Sequence, residues 1–518
     1  MSIFTLIAFS GLCAGLYYVC PLRLRWMLLL AVSYAYYAYC GLSALPFLLM
    51  TTASTWAGAL AIAAVEKKSA ARLRDGKQTL TREEKKRLKA AARRRQRALL
   101  LAVLLVNFGA LAVLKYTNNV LSLFSRPAVS LLLPLGISFY TFQSMGYLID
   151  VYNGKYAPER NIAKFALFVS FFPQLIQGPI GRYDQLAPQL TKEHRFDLDN
   201  IERGALLILW GFFKKKVIAD RALPAVELVF AGQSAYGGVV IVTGVLLYSL
   251  QQYADFSGGI DLVAGIAELF GIRLAPNFKR PYFAVSLGDF WRRWHISLGS
   301  WMRDYVFYPL AVSGPVSRAG KAIKKRFGTE LSRAFPAVVG NLLVFLLVGV
   351  WHGATANYVL WGLYNGVILA ASALLEPAYK RFGQRHEALV SGRGFHVLRV
   401  LRTFLIVNIG WYFDRCVRAS DAFAMLRKTL FDPRLSQLTG GALYKSGLSS
   451  RDFNVLLIAT LLLFGVSLAQ ERGVHIRDWV LSRPLPLRWA LLLAFMLFIV
   501  ATFTTGSGYS SGFLYAVF

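Results

Sequence analysis

The sequence predicts an all-α polytopic membrane protein, and three observations carry that prediction. Of its 518 residues, 56% are hydrophobic and only 16% charged, against roughly 25% charged in soluble globular chains. Lys and Arg outnumber Asp and Glu by 58 to 27. In an apolar chain that excess marks cytoplasmic loops rather than nucleic-acid binding. Apolar runs of about 20 residues, the length that crosses roughly 30 Å of hydrocarbon, recur along the chain. The 25 Tyr, 37 Phe and 11 Trp exclude an intrinsically disordered chain.

The first three candidate spans are 2–20, 24–41 and 44–65. No Lys or Arg precedes Arg23 and no small-residue cleavage site follows the first run, so it reads as a retained anchor. An arm at 66–98 follows, with fourteen Lys/Arg against Glu66, Asp75, Glu83 and Glu84. Its Thr81 and Glu84 have the spacing of a helix capping box. Such an arm belongs in the cytoplasm beside anionic lipid headgroups. It has no interleaved aromatic residues, so nucleic acid is not its expected partner.

Further candidate spans are 99–115, 128–150, 163–178, 204–220, 236–253, 259–271, 335–351, 356–375, 398–413, 454–470 and 486–503. Alternation from a cytoplasmic arm puts the N-terminus outside and gathers Lys214–Lys216, Arg273 to Arg280, Arg318 to Arg326 and Lys380 to Arg399 inside. The runs 163–178, 259–271 and 398–413 are short enough for half-spans. Cys13, Cys20, Cys40 and Cys416 form no disulfide or zinc pattern, and no metal is expected. The simplest division is one membrane domain over 1–518, the basic arm at 66–98 and an aromatic tail at 504–518.

Polar residues at membrane depth are expensive and generally functional. His352 follows the apolar run Leu342 to Val350. A neutral imidazole there is suited to take a proton from an alcohol attacking an acyl carbon, or to bridge a neighbouring helix. Trp351 and Asn357 flank it. His295 lies among Trp291, Arg292, Arg293, Trp294, Trp301, Arg303 and Asp304. That pattern suits either an amphipathic helix at the interface or a floor where Arg pairs with phosphates and aromatics stack on a nucleotide. Asp255 and Asp261 flank Ser257-Gly-Gly, which reads as a helix break, and the two carboxylates read first as buried partners of Arg or backbone.

The segments LLPLGISFYTFQSMGYLIDVY (132–152), FFPQLIQGPIGRY (171–183), QQYADFSGGIDLVAGIAELFGIRLAPNFKRPY (251–282), FWRRWHISLGSWMRDYVFYPL (290–310) and GVWHGATANYVLWGLYNG (349–366) together resemble the membrane-bound O-acyltransferases. The 290–310 wording is similar to the bacterial alginate O-acetyltransferase branch, while SGGIDL and GVWHG lean toward D-alanyl teichoic acid transfer proteins.

The resemblance implies a ring of tilted helices around a thinned core with a through tunnel. It implies acyl transfer, acetyl first, from cytoplasmic acetyl-CoA or an acyl carrier protein to an exported or cell-wall polysaccharide. It makes His352 the general base, His295 the second characteristic histidine, and Trp351, Asn357, Arg293, Trp294, Arg303, Asp304, Asp255 and Ser257 substrate-binding candidates. No permanently bound cofactor is expected, and an extracytoplasmic esterase-like acyltransferase is the expected partner. Related systems end in aromatic tails with a central tyrosine, which makes Tyr515 a candidate acyl relay or an interfacial anchor. D-alanyl transfer to teichoic acid-type polymers and a transporter without covalent chemistry are the alternatives. The expected location is the cell membrane, with many passes.

Overall fold

The computed structural model describes residues 3–442 and 447–503. The tail 504–518, with Tyr515, lies outside the described residues. Those residues are all-α, and their only β pairing is an isolated bridge between Phe278 and Trp294. Six helices are long and apolar enough to cross a membrane: Leu42–Asp75, Arg82–Leu123, Gly238–Glu268, Thr329–His352, Ser450–Glu471 and Leu485–Thr502. A seventh candidate is the pair Ala356–Leu374 and Glu376–Arg385, bent by 55°. The described residues divide into one unit of residues 3–205 and 263–275 and a second of 206–262 and 276–503.

In the first unit the 42-residue helix Arg82–Leu123 is about 63 Å long at 1.5 Å per residue, so it extends well beyond the hydrocarbon. Its projecting end carries the basic arm. Thr81 Oγ1 accepts from Glu84 N–H at 3.2 Å while Glu84 Oε2 accepts from Thr81 N–H at 2.8 Å, the predicted capping box. Arg93 donates to Tyr152 O at 2.7 Å and covers the Tyr152 ring, which ties the arm to the helix Ile137–Tyr152.

That helix begins nine residues later than the predicted span 128–150. Pro134 precedes it, and Gly136 adopts φ +68°, where an added Cβ would lie 2.7 Å from Leu175 O. The predicted span 163–178 is two short helices, Ile162–Ser170 and Phe172–Gln177. Gln174 donates to Gln143 Oε1 and to Pro179 O, so the 132–152 and 171–183 segments are locked together by two buried amides.

Beyond residue 205 two expectations change. Residues 236–253 and 259–271 do not form separate spans: Gly238–Glu268 is one helix, and Ser257-Gly-Gly does not break it. The glycines serve packing instead. A Cβ on Gly258 would lie 2.9 Å from Gly211 O, and one on Gly211 would lie 2.5 Å from Gly258 O. One crossing fewer also breaks the alternation counted after residue 236.

Lys214–Lys216 do not form a cytoplasmic cluster. They occupy a π-helical turn, Phe213–Ala219, and all three are buried. Their charges are met by acids. Lys214 binds Asp261 at 2.7 Å, Lys215 binds Asp220 at 3.0 Å as well as Asp255, and Lys216 binds Asp220 at 2.5 Å.

Gly211→Val forces a methyl-bearing side chain into the backbone of the facing helix. Overpacking of this kind costs about 1–3 kcal/mol, so the variant is expected to show a lower Tm than the parent in detergent, read by thermal unfolding.

Candidate active site

His352 is the last residue of Thr329–His352, and Ala356 starts the next helix, Ala356–Leu374. The two helices return on each other at very short distance. A Cβ on Gly349 would lie 2.5 Å from Tyr358 O, one on Gly353 would lie 2.6 Å from the Tyr358 ring, and one on Gly362 would run into Phe345 O. Small residues at a membrane helix interface permit this approach, and it folds three aromatic rings around the imidazole. Trp351 lies at 4.8 Å between centroids, Trp361 at 5.1 Å edge-on, and Tyr358 stacks at 5.9 Å and 21°. The His352 side chain is buried.

His295 comes from elsewhere in the sequence. It sits between the short helices Leu287–Arg293 and Ile296–Met302 in the left-handed region, φ +46°, which is uncommon for a residue with a Cβ. The strained turn is held from both sides. Phe278 pairs with Trp294, Lys279 N–H donates to Arg293 O at 2.9 Å, and Ile296 N–H donates to Asn277 O at 3.0 Å. The imidazole lies 4.8 Å edge-on to Phe256, 3.3 Å from Asn277 Oδ1, and 6.2 Å from Trp351 between centroids. This turn lies outside the spanning helices, and burial pushes the His295 imidazole down to about 3, so it is neutral at physiological pH. Trp351 therefore touches both histidines and gathers two distant motifs at one indole.

The other sequence candidates fall into separate roles. Trp294 is buried, stacked on Phe290 at 5.5 Å and packed against Phe278. Arg293 binds Asp289 at 3.1 Å and Glu471 at 2.9 Å, and Arg280 also binds Glu471. These partners hold the Arg293 guanidinium above its ordinary value, against desolvation. Arg303 pairs with adjacent Asp304 at 3.0 Å. Asn357 donates to Phe413 O at 3.2 Å and Cys416 O at 2.8 Å, so it closes the end of the helix Arg393–Arg415.

Asp255 binds Lys215, and Ser257 accepts from Lys214 Nζ at 2.9 Å. Asp255 is thus a buried partner, while Asp261, bound to Lys214 at 2.7 Å, is only half-buried, and both pair with Lys in place of the expected Arg. Asp255 still adjoins Phe256, the ring against His295.

Sequence reasoning missed Asn277, Tyr358 and Trp361. Asn277 lay in plain view within the 251–282 segment, but no spacing rule links it to a histidine eighteen positions on. A separate cavity of about 520 Å³ is lined by Leu246, Leu250, Tyr253, Tyr282, Phe404 and Phe464 among others, and neither imidazole lines it. Among the described residues no three His, Cys, Asp or Glu side chains gather as metal ligands.

The fold and the paired buried histidines define a polytopic all-α membrane protein with an aromatic-walled imidazole site. Known proteins make that class specific. The profile described as MBOAT, membrane-bound O-acyltransferase family, matches residues 158–390. A probable alginate O-acetylase AlgI of Pseudomonas syringae pv. tomato is 34% identical over 476 residues, 89% of this chain and 80% of that protein. The peptidoglycan O-acetyltransferase of Helicobacter pylori is 32% identical over 357 residues, 62% of this chain and 63% of that protein. The teichoic acid D-alanyltransferase of Bacillus subtilis is 29% identical over 298 residues, 55% of this chain and 70% of that protein. The chain belongs to the membrane-bound O-acyltransferase family and is a multi-pass O-acyltransferase.

Lys215→Met leaves Asp255 without its lysine in a buried setting. Removing one partner of a buried ion pair costs about 3–5 kcal/mol, and the variant is expected to unfold well below the parent. In Lys215→Met/Asp255→Leu, Asp220 keeps Lys216 and no charge is stranded at 255, so thermal unfolding should return part of the loss.

Proposed function

We propose that this chain carries an acetyl group from a cytoplasmic thioester, acetyl-CoA or an acylated carrier protein, toward a hydroxyl of an exported or cell-wall polysaccharide, with His352 as general base. The observation that supports this reading best is that His352 and His295, from separate motifs, meet the same Trp351 indole within a family of O-acyltransferases. His352 takes the proton of the acceptor hydroxyl while the oxygen bonds to the thioester carbonyl carbon. The C–S bond then breaks, and the thiolate leaves with the proton returned by the imidazolium. Rings on several sides of the imidazole exclude water, which limits hydrolysis of the thioester and strengthens the proton transfer.

A passage joining both faces of the cell membrane brings donor and acceptor to this point, with the N-terminus outside. Arg293, Trp294, Arg303 and Asp304 lie on the donor side, and Trp351 and Asn357 beside the base. The basic arm holds anionic headgroups and is the place for an acidic carrier protein to dock. Tyr515 in the tail receives the acyl group as an ester and passes it to an extracytoplasmic esterase-like transferase. The similarity to a teichoic acid D-alanyltransferase supports one other donor, a D-alanyl carrier thioester. Supplying each labelled donor to purified protein separates the two.

Loss of general base catalysis typically costs 10²–10⁴-fold. His352→Ala is expected to lower transfer from radiolabelled acetyl-CoA by about that factor with Tm unchanged, and full retained transfer removes His352 from the chemistry. Mass spectrometry of the tail is expected to find an acetyl adduct on Tyr515 in the parent and none in Tyr515→Phe. An acylated tail in Tyr515→Phe excludes Tyr515 as carrier.

A further inference from the structure

We infer that Asn277 is a positioning residue that fixes the tautomer of His295, holding its proton on Nδ1 and presenting Nε2 as the lone-pair nitrogen. The inference deepens the proposed transfer reaction and rests on it only for the catalytic consequence. Its geometry is independent of function. Asn277 Oδ1 lies 2.9 Å from Ser297 N, 2.9 Å from Ser297 Oγ and 3.3 Å from His295 Nδ1. The main-chain N–H of Ser297 only donates, so the atom facing it must be the amide oxygen and not the amide nitrogen. That settles the orientation of the Asn277 side chain.

An amide oxygen only accepts, so the imidazole nitrogen directed at it carries the proton. Asn277 is itself held, because its own carbonyl accepts from Ile296 N–H at 3.0 Å. The left-handed backbone at His295 thereby lies between two main-chain bonds, from Lys279 N–H to Arg293 O and from Ile296 N–H to Asn277 O.

Phe256 and Trp351 supply the rings against the imidazole. On the elements packed around it, Asp255 is bound to Lys215, Arg293 is bound to Asp289 and Glu471, Tyr253 faces Phe278 and Trp294, and His352 lies on Trp351. Burial favours the neutral ring. A neutral imidazole with a fixed tautomer has one basic nitrogen, and such a nitrogen is suited to steer a hydroxyl or a thiol rather than to repel a cation or pair with a phosphate.

Asn277→Asp tests the assignment while keeping an oxygen acceptor for Ser297. The carboxylate beside Nδ1–H favours the imidazolium, so the folded-state value of His295 rises; an opposite charge at this range moves it by about 1–3 units. Where the neutral ring is required, activity is then lost at higher pH, and the acidic limb of the pH–rate profile is expected to move upward by about that amount. The direct measurement is ¹⁵N NMR of histidine-labelled protein, with the His295 signals assigned by difference from His295→Gln. Parent protein is expected to show a protonated Nδ1 and an unprotonated Nε2, and Asn277→Asp two protonated nitrogens at a pH where the parent is neutral. A protonated Nε2 in the parent overturns the proposal. The expected NMR pattern with an unmoved pH–rate profile sustains the tautomer and removes His295 from the transfer step. Asn277→Ser, which retains a small polar group without the amide reach, is expected to give a mixture of tautomers.

Discussion

The site depends on one indole. Trp351 contacts both imidazoles, and it can do so only because the helix carrying it ends one residue later and the chain returns at once along Ala356–Leu374. The return is steric in origin. Gly349, Gly353 and Gly362 leave no side chain between the two helices, so backbone meets backbone and the bulky rings of Tyr358 and Trp361 are pushed to the end where His352 sits. The glycines of the Gly-Val-Trp-His-Gly motif thus act through packing, and the histidine between them inherits a water-poor position from that packing.

The second half of the site is built by a different device. His295 is placed by a strained left-handed residue, which costs free energy wherever it occurs and persists only if its surroundings over-determine it. Here they do: a one-bridge pairing of 278 with 294, two main-chain bonds on either side of the ring, and an aromatic stack of Trp294 on Phe290 hold the turn. Such a turn lets a buried imidazole sit between two short helices without consuming the hydrogen bonds of either.

Much of this was legible in the sequence, and the failures have physical causes. The capping box at Thr81 and Glu84 was legible because its signal is local, two residues three apart. The helical membrane class was legible because composition alone demands it. Ser257-Gly-Gly misled because glycine marks both a break and a close approach, and only the facing Gly211 distinguishes them. The lysines at 214–216 misled for a related reason. Charge near an apolar run reads as a loop, while Asp255 and Asp261, distant in sequence, and Asp220, one helical turn away, make burial possible. Asn277 was invisible as a partner because hydrogen bonds between separate turns leave no periodicity.

The contrast between these two buried polar systems bears on how the chemistry is organised. The Lys214–Lys216 cluster is balanced in number, three lysines against Asp220, Asp255 and Asp261, and each lysine is bound to at least one of these acids. Around the histidines the groups differ: rings flank both imidazoles, the Asn277 amide meets His295, and Arg293 and Asp255 are each bound to opposite charges. The proposed transfer, in which a proton is taken from a hydroxyl and returned to a thiolate, needs a group that is neutral before and after the event, whose charged form is transient. Fixed charge beside it would hold the proton on or off permanently. Since Asp255 and Phe256 are consecutive in one helix, the same turn delivers a carboxylate to the lysines and a hydrocarbon ring to His295. The carboxylate of that turn is thus paired with lysine, and the ring beside it is what meets the imidazole.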